Sequence, residues 1–328
     1  MSRIHIVATG GTIAMAQDSG AGGAVLSLRG SDFVERMMDL AAPGLPNVTQ
    51  EEYGPLPSSH FTVDHLWGLR ERVRAAVNDP DVDGVVITHG TDSLEETAYL
   101  LDLTLPTDKP MCVTGAMRVA SQPGYEGMAN LIAAVRAASS PAARGLGALV
   151  VLNDEIHAAR DVTKMHTQSL GTFRSPFWGP IGRVEAEDIV ITRRVERDII
   201  VCDRLESGVY LFKLAVGMDA NLLQEAIGLG SRGVVVETFG GGRVPPWWLD
   251  AMRAALHARV AVVVTTRCPA GRLYDPYRYT GAYRDLQDLG CLFAHELNGQ
   301  KARLRLMAAL SLARDLRELE NIWNAGGS

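Results

Sequence analysis

The residues whose types and spacing could do chemistry fall in four short segments. In Ala8–Ala14 (ATGGTIA), Thr9 and Thr12 offer hydroxyls. Gly10 and Gly11 there let the chain turn sharply and let a ligand approach the backbone. In His89–Asp92 (HGTD), Gly90 precedes a Thr91 hydroxyl and an Asp92 carboxylate, and a carboxylate so placed can hold a substrate ammonium group. In Pro57–Trp67 (PSSHFTVDHLW), Ser58 and Ser59 come just before a predicted helix, where hydroxyls and amides suit a carboxylate ligand. The fourth segment, Asn153–Lys164 (NDEIHAARDVTK), ends in Lys164, which would act as a base toward Thr91 if it lay partly buried against that hydroxyl. Each segment also has a plainer reading. The glycines can be a simple turn, and Asp92 with Glu95, or Ser93 with Glu96, has capping-box spacing. Thr62 or Asp64 can cap the next helix, and Lys164 can be a solvated surface charge.

Competing chemistries find less support. The Ala8–Ala14 turn is no GxGxxG dinucleotide fingerprint, and the hydrolase pattern GxSxG is absent. His60 and His65 are five residues apart, a poor spacing for two ligands on one helix face, and the four cysteines (Cys112, Cys202, Cys268, Cys291) form no CxxC pair, so no metal site is signalled. The 328 residues carry 32 Lys and Arg against 38 Asp and Glu, a net charge of -6, which argues against a nucleic-acid partner. The 47% apolar and 21% charged residues suffice for a sizeable core and argue against disorder. No apolar run approaches the roughly 18 residues of a membrane span. The opening MSRIHIVATGG has no basic, apolar and cleavage-site order of a secretory signal, so a cytoplasmic protein is expected.

The elements that must position these segments alternate. Strands are predicted at Ile4–Ala8, Val85–Thr88, Met111–Val113, Ala148–Leu152, Val209–Leu214, Gly233–Val236 and Val260–Thr265. Helices are predicted at Asp32–Ala41, Val63–Asn78, Ser93–Leu103, Gly127–Ser139, Asn221–Leu229, Pro246–Ala258 and Gln300–Glu318. Continuous apolar strands alternating with amphipathic helices predict an α/β fold with a doubly wound parallel sheet, whose ligands sit beyond the carboxyl ends of the strands. The charge-dense stretch Val184–Ser207 breaks the rhythm and reads as a linker with a short strand or hairpin. The expected division is a larger α/β domain at 1–190 carrying both threonines, a linker at 191–207 and a smaller α/β domain at 208–328.

Taken together the segments resemble the bacterial-type L-asparaginase family. ATGGTIA, ITHGTDSLEETAYLLDL, TGAMR (Thr114–Arg118) and ARDVTK stand in that family's order and spacing. The likeness continues through KLAVGMDA (Lys213–Ala220), GVVVETFGGGRVP (Gly233–Pro245), RCPAG (Arg267–Gly271) and LNGQKARL (Leu297–Leu304), covering essentially the whole chain. The resemblance implies hydrolysis of a side-chain amide of L-asparagine, or of a close amino-acid amide, to the acid and ammonia, without metal or organic cofactor. It makes Thr12 the nucleophile and Thr91 the second catalytic threonine, activated by Lys164. Asp92 would bind the substrate α-ammonium and Ser58 its α-carboxylate, with Ser59, Gly11 and Gly90 beside them. Backbone amides near Gly11 or Thr91 would stabilise the oxyanion. It also implies a homo-oligomer, dimer or tetramer.

The departures from the family pattern concern substrate choice. The loop after TGGTIA, Met15–Gly30, lacks the family's usual Tyr and contains no aromatic residue. Its Gly-rich composition suits a mobile lid, with Ser19 or Ser27 as a stand-in. Tyr283 stands where many members place a Glu that reaches a neighbouring subunit's substrate, Arg243 replaces the Asn of a G-x-G-N turn, and Ser59 stands where some members have Gln. Two other readings keep the fold: an ammonia-releasing subunit of a transamidation complex, weakened because the motif begins at residue nine, and a non-catalytic amino-acid sensor.

Overall fold

The computed structural model describes residues 2–18, 20, 22–40, 45–274 and 276–325. The chain divides into two compact units, Met1–Ile199 and Ile200–Ser328. In chain order the first unit holds β1 (Arg3–Ala8), β2 (Met15–Asp18), β3 (Gly23–Leu26), α1 (Gly30–Leu40), β4 (Asn47–Glu52), α2 (Val63–Asn78), β5 (Gly84–Thr88) and α3 (Leu94–Thr104). It continues with β6 (Met111–Thr114), α4 (Gly127–Ser139), β7 (Ala148–Leu152), β8 (Glu155–Ala158), β9 (Thr163–Lys164), β10 (Phe173–Arg174), β11 (Gly182–Glu185) and β12 (Asp188–Ile191).

Among the described residues, eight strands form one sheet in the order β12-β11-β8-β7-β6-β5-β1-β4. The run from β7 to β4 is parallel, and β8, β11 and β12 extend it antiparallel. Alternation along the strands divides the core between the two faces. Ile4 and Ile6, Val86, Cys112, Leu149 and Val151 point to α1 and α4. Val7, Val85 and Ile87, Met111 and Val113, Ala148 and Val150 point to α2 and α3. Both faces are thus buried, which is why these strands read as unbroken apolar runs. The edge strand β4 (NVTQEE) gives no such signal, because all its residues are half-buried or exposed. The reversal into β8 is a two-residue hairpin whose Asn153 and Asp154 have φ of 52° and 58°, the positive values that a type I′ turn demands. The start of the charge-dense stretch forms the β11–β12 hairpin at the sheet's far edge.

The second unit holds β13 (Val209–Lys213), α5 (Asn221–Gly228), β14 (Gly233–Thr238), α6 (Pro246–His257), β15 (Ala261–Thr266), α7 (Tyr283–Asp288), β16 (Leu292–Phe293), α8 (Gly299–Leu312) and α9 (Leu316–Ala325). Its four strands pair parallel in the order β13-β14-β15-β16. Leu223, Trp248, Met252 and Leu286 cover one face. On the other, α8 lies so close that a Cβ on Gly233 would meet Leu306 at 2.8 Å. The helix expected over Gln300–Glu318 is two helices. It breaks at Ala313, and α9 restarts where Asp315 Oδ1 accepts from Glu318 N at 2.9 Å while Glu318 accepts from Arg314 N at 2.8 Å. The D-x-x-E pattern of a helix start overrides the continuous apolar spacing. Of the helix expected over Asp32–Ala41, Ala41 lies outside the described residues.

Within the first unit, Arg197 ties the end of the chain to α3. Its Nε donates to Asp102 Oδ1 at 2.9 Å, and its terminal nitrogens donate to the carbonyls of Asp102, Leu105 and Thr107 at 2.9–3.0 Å. Burial pushes the Asp102 carboxyl above its usual range, opposed by the Arg197 charge and the Ala148 amide. Removing one partner of such a buried pair strands the other. Arg197→Met is expected to destabilise the first unit by about 3–5 kcal/mol in chemical denaturation, and Asp102→Leu combined with it recovers part of the loss. An unchanged midpoint would show that the pair does not hold the fold.

Candidate active site

Strand order places the site. From β1 the chain passes to β4 on one side, and then α2 carries it back across β1 to β5 on the other. Ala8 and Thr88, the last residues of β1 and β5, are register partners, so the connections diverge from that point and leave a crevice at the carboxyl ends. The loops at 9–14, 53–62, 89–93 and 115–126 gather there. Thr9 is fixed to its neighbour strand twice, its N and Oγ1 donating to Thr88 O at 3.2 and 2.9 Å. His89 N donates to Thr114 O at 2.8 Å.

The loops touch through glycine. Gly11 has φ 84° and ψ -178°, and a Cβ on it would overlap Gly90 N and Cα. A Cβ on Gly90 would stand 2.6 Å from Ser58 Oγ, and one on Gly115 would stand 2.5 Å from His89 O. Glycine alone allows this approach, so Gly11 and Gly90 are structural requirements of the crevice. After Gly11, Thr12–Ala14 form a single 3-10 turn closed by Ala14 N donating to Gly11 O at 2.9 Å, and Thr12 is half-buried at its start.

Around this contact the structure brings together Thr91, Asp92, Lys164 and Ser58. Lys164 Nζ lies 2.9 Å from Thr91 Oγ1 and 2.8 Å from Asp92 Oδ1. The lysine reaches there from β9, which pairs with β10 through Phe173, a residue buried in the core of the first unit. Thr91 is buried, whereas the Asp92 side chain is 66% exposed and so faces incoming solutes. The capping alternatives for this turn are not realised. Ser93 is the N-cap residue of α3 without a side-chain cap bond, and its hydroxyl donates instead to Ser58 O at 2.7 Å. Ser58 is buried and accepts from Asp92 N at 3.2 Å, which leaves its own proton to donate elsewhere. Thr62 caps α2, in a capping box with His65, and Ser59 is exposed on the same short turn as Ser58.

His89 braces the turn from beneath. Its Nδ1 lies 2.8 Å from Gly90 O, and a carbonyl only accepts, so Nδ1 carries the proton and Nε2 accepts from the Thr97 hydroxyl at 2.9 Å. Phe61 packs edge-on against the ring at 4.9 Å. Burial holds the imidazole neutral, with its pKa pushed down to about 4, and the Gly90 carbonyl opposes this only in part.

The loop after Thr12 is the β2–β3 hairpin, with Met15 opposite Leu26. Ser27 lies exposed at its foot, its N donating to Ala14 O at 2.9 Å, and Ser19 lies outside the described residues. Tyr283 and Arg243 belong to the second unit. Tyr283 is half-buried against Phe293 at 4.5 Å, and Arg243 stacks over Tyr277 at 5.1 Å. One residue at the site gives no signal in the sequence: Tyr125 Oη donates to Ile13 O at 2.7 Å, directly behind Thr12. It sits in a loop without periodicity, 112 residues from its partner.

Residues 3–197 match the family model described as asparaginase, N-terminal, and residues 208–323 match the glutaminase/asparaginase C-terminal domain. Among individual proteins the chain is 33% identical to an L-asparaginase of Bacillus licheniformis over 94% of its own length and 95% of the relative's. It is 33% identical to a glutaminase-asparaginase of Pseudomonas fluorescens biotype A, over 98% and 90%. It is also 33% identical to a probable periplasmic L-asparaginase of Haemophilus influenzae, over 98% and 92%.

The buried imidazole makes stability depend on pH. In the unfolded chain it takes up a proton near pH 6.5, but in the folded chain only near 4. Between those values the unfolded state binds more protons, so stability falls as pH drops through the window, by up to about 3 kcal/mol, and none of it is lost above pH 7. His89→Gln is expected to show a smaller fall in melting temperature between pH 7 and pH 5 than the native protein. Equal falls would show that another group is responsible.

Proposed function

This chain belongs to the asparaginase family, and we propose that it hydrolyses the side-chain amide of L-asparagine, or of a close amino-acid amide, with Thr12 as nucleophile. The observation that carries the assignment is the Thr91–Lys164–Asp92 cluster at the crevice, with Lys164 within 2.9 Å of both partners. The bland reading of Lys164 as a solvated charge does not fit a side chain 18% exposed that touches a buried hydroxyl.

The chemistry follows from the placement of these groups. The α-ammonium of the substrate pairs with Asp92, and its α-carboxylate accepts from the Ser58 hydroxyl. Thr12 Oγ attacks the amide carbon as its proton passes to Thr91 Oγ1 and the Thr91 proton passes to Lys164 Nζ, and backbone amides near Gly11 or Thr91 hold the oxyanion. Collapse breaks the C–N bond. The leaving nitrogen takes back that proton through Thr91 and departs as ammonia. Water, deprotonated through Thr91 and Lys164, then cleaves the acyl–threonine ester and restores Thr12. Glycine at positions 11 and 90 lets the substrate lie against the backbone.

The reading extends to a homo-oligomer in the cytoplasm. Phe177 and Trp178, stacked edge-on at 4.5 Å and each nearly half exposed, offer apolar surface for a second copy. No helix among the described residues is long and apolar enough to cross a membrane.

Ammonia release from asparagine, glutamine and related amides tests the assignment. Lys164→Met is expected to lower kcat about 100- to 10,000-fold, the usual contribution of general acid–base catalysis, and Thr12→Ala to remove turnover. Asp92→Asn raises KM. Equal turnover by Thr12→Ala and the native protein would remove the proposed nucleophile.

A further inference from the structure

The loop at 115–126 grips the segment that carries Thr12 at alternate positions. Tyr125 Oη donates to Ile13 O at 2.7 Å, Ala120 N donates to Met15 O at 2.7 Å, and Gln17 N donates to Ser121 Oγ at 2.8 Å. The loop is itself braced. Met117 N donates to the Glu126 carboxylate, Val119 N to Gln122 Oε1 at 3.1 Å, and Arg118 to Gly124 O at 2.9 Å. The Tyr125 ring folds back over Gly127, where a Cβ would overlap its hydroxyl and ring carbons. Gly127 is therefore the notch that lets the phenol reach Ile13. Burial and the nearby Glu126 charge push the phenol's ionisation well above its usual range, so it remains a donor at every working pH.

We propose that Tyr125 is a positioning residue for Thr12: its hydrogen bond to the Ile13 carbonyl fixes the orientation of the 3-10 turn and hence the direction in which the Thr12 hydroxyl points. The inference rests on the reading of Thr12 as nucleophile. The Thr12–Ala14 turn is closed by two backbone bonds of its own, from Ala14 N to Gly11 O and from Met15 N to Thr12 O. The Ile13 carbonyl and the Ala14 N–H belong to one peptide group, so the bonds to Tyr125 and to Gly11 hold both its ends and fix the plane of the peptide next to Thr12. A hydroxyl held within a few tenths of an ångström of its attack position contributes to the barrier rather than to ground-state binding.

Tyr125→Phe keeps the ring on Gly127 and deletes only the donor. Its kcat is expected to fall about tenfold with KM within about twofold, while near-UV circular dichroism stays native at the assay temperature. Gly127→Ala, which fills the notch, is expected to give the same kcat-selective loss. Amide hydrogen exchange at residues 13 and 14 is expected to quicken in Tyr125→Phe with the sheet amides unchanged, a readout that needs no turnover. An unchanged kcat in Tyr125→Phe with native activity intact, unchanged exchange at the turn, or a loss matched by an equal loss of folded protein overturns the proposal. Turnover surviving Thr12→Ala overturns instead the reading of Thr12.

Discussion

Loops leaving two neighbouring parallel strands can bring side chains into one pocket only if their backbones approach more closely than a Cβ permits. At Gly11 and Gly90 that approach is made with no side chain on either residue, and Ser58 and His89 press against the same point through Gly90 and Gly115. The sheet supplies the direction, since β1 and β5 end in register at the place where the chain's path diverges. The glycines supply the distance. A methyl group at position 11 would have to displace the Gly90 backbone and adopt a φ that costs a non-glycine residue about 1–3 kcal/mol. Thr12 and Thr91 follow their glycines by one residue each, so this backbone contact brings together the two segments that carry them.

The ion pairs of the first unit divide by what they do for stability. Arg197 and Asp102 are both largely buried and satisfy several carbonyls, so they hold structure. Lys164 and Asp92 meet at a similar distance, but with Asp92 66% exposed their pairing contributes about 0–1 kcal/mol. A weak pair is suited to exchange. On the proposed reading an incoming ammonium replaces Lys164 at Asp92 without disturbing the fold, because Lys164 is held by its ribbon, through Phe173 and the Met165–Thr172 backbone bond at 2.8 Å, and not by the carboxylate. Neutral His89 beneath the turn adds no charge to this exchange.

Much of the site was legible because its signals are local. Thr12, Thr91 and Asp92 follow apolar runs that can only be buried strands, and α2, α4 and β7 lie where periodicity and turn residues put them. The alternatives left open at Asp92 and Ser93 needed coordinates, because a capping box and a ligand-holding carboxylate share one residue pattern. The Lys164–Thr91 contact was legible only as a condition, since 73 residues separate the pair and the intervening chain reverses at Asn153–Asp154. The edge strand β4 was silent because half-exposed residues carry little hydrophobic pattern. The break between α8 and α9 was written in Asp315 and Glu318 but masked by apolar residues on both sides.

Tyr125 belongs to neither group, and its position bears on how the lid and the chemistry coexist. Met15, the first residue of the β2–β3 hairpin, is three residues after Thr12, so any force on the hairpin would pass straight to the proposed nucleophile along the backbone. The bonds at Ile13, Met15 and Gln17 interrupt that path. They anchor the stem to a loop that follows a different strand, β6. On the proposed role of Tyr125, a hairpin without an aromatic residue is compatible with a correctly aimed Thr12 hydroxyl, because the aim is set through Ile13 and not from the hairpin.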